Sequence, residues 1–261
     1  MTAPAAAYAQ RAWVEQIMGL PISVHLRGPE PATPAVVAGV AAYFADLRRI
    51  DEIFSTYRPD SEISRWQRGE LTPAAADPLL GRVLAMCDHA FVRTSGFFDA
   101  RSLPDPLGGA PRTDPSGLVK GWAVERATRH LPTGHGWCVN AGGDVRVHAP
   151  GGLPAWRIGI EDPARDGRIL RAVTLRDGAV ATSGTRHRGT HIVDPRTGRP
   201  PTGLAQVSVL GPELLWADVY ATAAFARGRS ALEWLATLGG YEGLVVTADG
   251  RIATTPGWPI A

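Results

Sequence analysis

Several features that would settle the chain's class at a glance are missing. There are only two cysteines, Cys87 and Cys138, and neither belongs to a Cys-x-x-Cys pair or a Cys/His zinc pattern. At most one bridge could form, and free core thiols are the expectation. No apolar run approaches the ~20 residues of a membrane span, so no membrane insertion is expected. Residues 1–16 have neither a positively charged start with an apolar stretch nor a lipobox, which points to the cytoplasm. No basic tract occurs, and 27 Lys plus Arg against 25 Asp plus Glu leave a formal net charge of +2. That is too little for nucleic-acid binding by bulk electrostatics. No internal repeat or low-complexity linker divides the 261 residues, enough to bury a sizeable core without staples. One compact α+β unit over residues 1–261 is therefore expected, and an enzyme is permitted.

What is present reads mainly through periodicity. Ile22, Val24 and Leu26 alternate as in a strand that Gly28-Pro29 ends. Thr33 before Pro34 supplies a cap and a first-turn proline. Val36, Val40, Tyr43, Leu47, Ile50 and Phe54 then recur at helical spacing as a core stripe. Asp77-Pro78 opens a second helix with Leu80, Leu84, Cys87 and Phe91 on its apolar side, ending near Gly96. Residues 96–115 read as a loop across a site, and 120–131 as a helix. A strand ending at Val139 and short strands at 145–148, 156–161, 169–175 and 179–181 follow, parted by turns such as Asp177-Gly178. His191 leads a further apolar strand ending at Asp194-Pro195. The chain closes with a strand at 206–210, helices at 216–227 and 231–238, and a hairpin of 243–247 with 251–254. An antiparallel sheet is the simplest inference.

Four constellations could carry chemistry. Asp218 and Thr222, four apart on a helix, put two hard oxygens one turn apart. Mg²⁺ commonly takes one or two protein carboxylates and leaves its remaining positions to water and substrate phosphates. Asp114-Pro115-Ser116-Gly117-Leu118-Val119-Lys120-Gly121 offers a carboxylate, a glycine that others can approach closely, and an ammonium for phosphate. The turn Asn140-Ala141-Gly142-Gly143-Asp144 can bring backbone amides to a ligand, but it equally makes an ordinary hairpin. The run Thr182-Ser183-Gly184 offers small hydroxyls, and the later Thr190-His191 offers a proton acceptor near neutral pH. His187 and His191 are also four apart, yet Gly189 between them argues against a helix. No His-Glu-x-x-His or helix-opening Gly-x-Gly-x-x-Gly occurs, which leaves zinc-protease and Rossmann readings without support.

Taken in order, Met18-Gly19-Leu20-Pro21, Phe54-Ser55-Thr56-Tyr57 with Ser61-Glu62-Ile63-Ser64, Gly96-Phe97-Phe98-Asp99, residues 114–121, the Asn-Ala-Gly-Gly turn, Thr-Ser-Gly, His-Ile-Val-Asp-Pro and Ala-Asp-x-x-x-Thr resemble the ApbE family. Each piece is weak, but eight in one order are specific. The resemblance implies a T-fold-related α+β domain whose mixed or antiparallel sheets are packed by helices. It also implies an Mg²⁺-dependent FAD:protein FMN transferase, which attaches FMN through a phosphoester to a Thr or Ser of an acceptor protein and releases AMP. An Mg²⁺-dependent FAD pyrophosphatase and a non-catalytic FAD-binding protein are the alternatives. By the same resemblance Gly117 (through its carbonyl), Asp218 and Thr222 hold Mg²⁺. Met18, Tyr57, Phe97, Phe98, Asp99, Asp114, Lys120, Asn140, Gly142, Gly143, Thr182, Ser183, Gly184 and Thr190 surround FAD. His191 is implied as the base, acting with Asp218 and Lys120. Between Asp99 and Asp114 the chain is shorter than typical members.

Overall fold

In the computed structural model, residues 8–72, 74–101, 112–186 and 192–259 are described. The first hairpin pairs β1 (Gln10–Ile17) with β2 (Leu20–Arg27). Ile22, Val24 and Leu26 are buried on one face of β2, as period-two alternation requires. The sequence stripe on 34–54 becomes α1 (Pro34–Phe54), with the Thr33 hydroxyl capping the Val36 amide. Short α2 (Glu62–Gln67) is capped by Ser61, and α3 (Pro78–Arg93) by Asp77. Then come α4 (Ser116–Ala127), β3 (Gly136–Ala141), β4 (Asp144–His148), β5 (Trp156–Glu161), β6 (Ile169–Leu175), β7 (Asp177–Gly184) and β8 (Leu204–Gly211). The chain continues through α5 (Leu214–Arg227), α6 (Ala231–Leu235), β9 (Glu242–Thr247) and β10 (Ile252–Thr254).

Eight strands form a sheet in the order β1-β2-β3-β4-β7-β8-β9-β10, every neighbour antiparallel, while β5 and β6 pair separately. Alternating side chains divide the interior in two. Val139, Ala141, Ala179, Ala181 and Val245 face the helices and join their apolar stripes. Cys138, Val180, Leu244 and Val246 face the other way, into a smaller cluster with Ile158, Ile160 and Val173 of the β5–β6 ribbon. The helical layer thus holds α4 against α5, and α5 over β7 and β8. Both cysteines are free and buried, and burial pushes each thiol up to about 12. Among the described residues no helix is long and apolar enough to cross a membrane.

Some boundaries differ from the sequence reading. Neither β1 nor α2 was expected: β1 is an edge strand with most side chains exposed, and α2 is six residues long, so both lack a strong apolar period. Helix α4 begins at Ser116, four residues before the expected start, which puts Gly117 in its first turn. Asp177-Gly178 opens β7 instead of making a turn, and a Cβ on Gly178 would stand 3.1 Å from the Gly211 carbonyl oxygen of β8. The strand expected after His191 is absent among the described residues 192–203, where Asp194 and Arg199 make only an isolated bridge. The Asp194 carboxylate accepts from the Arg196 amide and bends the chain there. Phe91, expected in the core, is 45% exposed because it follows the last buried turn of α3.

Candidate active site

A cavity of about 910 Å³ opens where the β1–β2 turn, the segment after α1, the start of α4, the end of β7 and α5 converge. Its wall is built from local rules. β1 and β2 are joined by two residues, Met18 and Gly19, both with positive φ (57° and 71°), the geometry of a type I′ hairpin. Asn or Gly would adopt it with little cost, so a methionine held there marks a position chosen for what its side chain faces. Met18 lines the cavity, with Tyr57 at the rim and 93% exposed. Phe97 and Phe98 form the apolar floor, and Thr94 fixes their approach by accepting the Phe98 amide on its hydroxyl at 2.9 Å. The guanidinium carbons of Arg196 and Arg227 stand 4.2 and 4.1 Å from the Phe97 ring centre.

The polar end is a compact charged cluster. α5 presents Asp218, buried, and Thr222 one turn on. From α4, Lys120 forms an ion pair with Asp144 and places its Nζ 3.5 Å from Asp218 Oδ2. Asp144, at the start of β4, also accepts the Thr182 amide at 2.9 Å, tying the β3–β4 turn to β7. That turn is shaped by Gly142 and Gly143 at φ 61° and 102°, with Asn140 Oδ1 accepting the Gly143 amide at 2.8 Å. Ser183 Oγ lies 3.3 Å from Thr222 Oγ1, and the Thr182 hydroxyl is 2.8 Å from Ser208 Oγ. Asp114 accepts the Ser116 amide at 2.9 Å, just ahead of α4.

Behind the cluster, Glu125 of α4 accepts the Leu214 amide at 2.7 Å and so caps α5 from outside its own segment. Arg146 of β4 holds Glu125 through its Nε at 3.0 Å. The helix carrying Asp218 is therefore locked to the helix carrying Lys120 and to the strand carrying Asp144.

Most residues picked out in the sequence meet here. Met18, Tyr57, Phe97, Phe98, Asp99, Asp114, Gly117, Lys120, Gly142, Thr182, Ser183, Gly184, Asp218 and Thr222 all line the one cavity. Asn140 and Gly143 do not line it and act through the turn. Thr190 and His191 lie outside the described residues. Sequence reading passed over Asp144 as a site residue, along with Asp51, Arg58 and Arg186 on the cavity wall. Burial holds the Asp51 carboxyl above the usual range. A glycine turn running into a lone acid was the only available signal for Asp144.

The donor set fits a small hard cation. Carboxylate, hydroxyl and carbonyl oxygens are what Mg²⁺ prefers, with one protein carboxylate sufficient when phosphates complete the shell. Among the described residues no group of three or more His, Cys, Asp or Glu gathers to hold a metal. The fit rests on the pairing of Asp218 with Thr222, and on Gly121: a Cβ there would fill the space 3.2 Å from Asp218 Oδ2.

Comparison with known proteins bears on the family and the fold. The ApbE family model matches residues 18–104 and 108–245. A Rhodobacter capsulatus protein named FAD:protein FMN transferase is 36% identical over 161 residues, covering 56% of this chain and 30% of that protein. A Vibrio cholerae protein of the same name is 34% identical over 129 residues, 44% of this chain and 38% of that one. The chain thus spans about a third of the length of these curated relatives. Among solved structures, the flavin transferase ApbE of Vibrio cholerae superposes with a TM-score of 0.80 at 24% identity, over 95% of this chain and 98% of that one. The ApbE protein of Thermotoga maritima gives 0.79 at 22%, over 95% and 97%. The fold is that of these structures, and the chain belongs to the ApbE family.

Proposed function

We propose that the chain is an Mg²⁺-dependent flavin transferase working as one unit over its whole length. Its substrates are FAD and an acceptor protein carrying a Thr or Ser. It cleaves the FAD diphosphate, joins FMN to the acceptor hydroxyl through a phosphoester and releases AMP. The observation that carries this reading is the meeting of Lys120, itself ion-paired to Asp144, with Asp218 and Thr222 in a cavity that Met18, Phe97 and Phe98 also line. A flavin dinucleotide has those two chemistries.

Asp218, Thr222 and the Gly117 carbonyl would hold Mg²⁺, which supplies Lewis-acid neutralisation of charge on the diphosphate oxygens when bound. Lys120 neutralises phosphate as a point charge. Met18, Phe97 and Phe98 offer apolar contact to the ring system, while Asp99, Asp114 and the hydroxyls of Thr182 and Ser183 orient polar groups. Thr190 belongs to the same ligand set, and His191 accepts the proton of the acceptor hydroxyl, a step worth roughly 10²- to 10⁴-fold.

The test is incubation with FAD, Mg²⁺ and a candidate Thr-bearing acceptor protein. A covalently fluorescent acceptor and stoichiometric AMP are expected. AMP without labelling would convert the assignment to an FAD pyrophosphatase, and FAD recovered intact with every acceptor would reduce it to a binding protein.

A further inference from the structure

Lys120 is the only lysine in the chain, beside 26 arginines. A guanidinium is a wide planar fork, whereas an ammonium is a compact charge with three donors that can serve two carboxylates at once. The structure uses it that way. Lys120 Nζ is ion-paired with both carboxylates, in direct contact with Asp144 and more loosely, at 3.5 Å, with Asp218 Oδ2. The Asp144 carboxylate is itself fixed: its residue is 1% exposed, its Oδ1 takes the Thr182 amide at 2.9 Å, and it leads β4 directly from the glycine turn. Asp144 is therefore the rigid partner, and the lysine hangs between it and Asp218.

We propose that Asp144 is a positioning residue that draws the Lys120 ammonium to itself, and so leaves the Asp218 carboxylate able to accept a divalent ion. The inference rests on the metal role of Asp218. A cation resting on Asp218 would compete for the same oxygens that a metal needs. Counted by themselves, these two carboxylates and one ammonium sum to a formal charge of −1, which attracts a divalent ion. Neutralising Asp144 brings that sum to zero and leaves Asp218 as the carboxylate to which the lysine turns. Electrostatics of this kind are strong at short range in a low-dielectric site, and a buried acid with its partner removed is costly.

The test uses nucleotide-free protein and the metal alone. Mn²⁺ binding is read by electron paramagnetic resonance of the free ion. The sole lysine gives one ¹³Cε signal in lysine-labelled protein, read during Mg²⁺ titration. Wild type is expected to bind Mn²⁺, and its lysine signal to shift as Mg²⁺ fills the site. Asp144→Asn keeps an oxygen for the Thr182 amide but is expected to bind Mn²⁺ at least tenfold more weakly. The double variant Lys120→Met/Asp144→Asn removes the competing ammonium and is expected to recover wild-type affinity or better. A merely structural Asp144 would leave the double variant no better than Asp144→Asn, and that result overturns the proposal. Equal affinity of Asp144→Asn and wild type overturns it as well. Wild-type binding that is absent, or unchanged in Asp218→Asn, removes the metal assignment itself, and the proposal falls with it.

Discussion

Gly121 of α4 lies so close to Asp218 of α5 that a Cβ on the glycine would stand 3.1 Å from the aspartate Cβ, 3.2 Å from its Oδ2 and 2.9 Å from the Leu214 carbonyl oxygen. The last of these is backbone and cannot step aside. Glycine inside a helix ordinarily costs up to about 1 kcal/mol relative to alanine, so Gly→Ala should stabilise a helix with open space beside it. Gly81 of α3, with nothing near its would-be Cβ, is such a position, and Gly81→Ala is expected to raise stability by roughly 0.5–1 kcal/mol. Gly121→Ala is expected to do the reverse, by about 1–3 kcal/mol, because α4 and α5 must part. Urea denaturation of the two variants checks the opposed signs, and stabilisation by both would show that the helix contact yields easily.

Asp218 and His191 should fail differently when each is replaced by alanine. Asp218→Ala removes the carboxylate at the polar end and is expected to abolish Mg²⁺-dependent release of AMP. His191→Ala is expected to leave FAD binding intact while acceptor labelling drops roughly 10²- to 10⁴-fold, the range a general base provides. FAD binding by fluorescence, AMP by chromatography and labelling by in-gel fluorescence separate the steps. Undiminished AMP release from Asp218→Ala would remove the metal assignment.

How much of this was legible beforehand depended on period and order. The stripe on α1 and the alternation on β2 could be read because each element buries one continuous face. The glycine turn and the Asp218/Thr222 spacing were visible as residues, but only their order along the chain, through the family resemblance, gave them a shared purpose. Asp144 was not legible as a site residue. Its significance lies in contacts with Lys120, 24 positions earlier, and Thr182, 38 positions later, and sequence spacing does not report such pairings. β1 escaped because an edge strand buries little, and the extra length of β7 because Thr182, Ser183 and Gly184 look like a loop until β8 pairs with them. The Glu125 cap on α5 is a third case, since its acceptor comes from another helix.

Met18 tests whether backbone strain has been kept for function. A methionine at φ 57° costs about 1 kcal/mol that asparagine largely avoids. Asparagine in turn gives up the partial packing of Met18 against the core, an opposing term of about the same size. Met18→Asn is therefore expected to change stability by less than about 1 kcal/mol while weakening FAD binding several-fold, because the side chain lost is part of the cavity wall. Thermal unfolding together with an FAD titration measures both. Unchanged FAD affinity would mean that Met18 is in the cavity without serving the flavin.

Asp77 gives a pH-dependent prediction with a defined sign. Its Oδ1 accepts the Leu79 amide at 2.8 Å as the cap of α3, and its Oδ2 takes Arg49 Nη2 at 2.6 Å. The backbone hydrogen bond, with help from Arg49, holds this carboxyl below the usual range despite opposing burial. Because Arg49 is largely exposed, most of the benefit is assigned to the cap. A folded-state pKa below the unfolded value of about 3.9 contributes stability above that value, and the contribution is lost as pH falls through the folded-state pKa. Asp77→Ala is therefore expected to cost about 1 kcal/mol at pH 7, and the gap to wild type should narrow from about pH 4 downward. Asp77→Asn keeps an acceptor for Leu79 without a titrating charge, so its stability relative to Asp77→Ala should be nearly constant with pH. Urea titrations of the three proteins at pH 7 and at pH 3 supply the comparison. An equal gap between wild type and Asp77→Ala at both values would mean that the charge on Asp77 adds nothing to its cap.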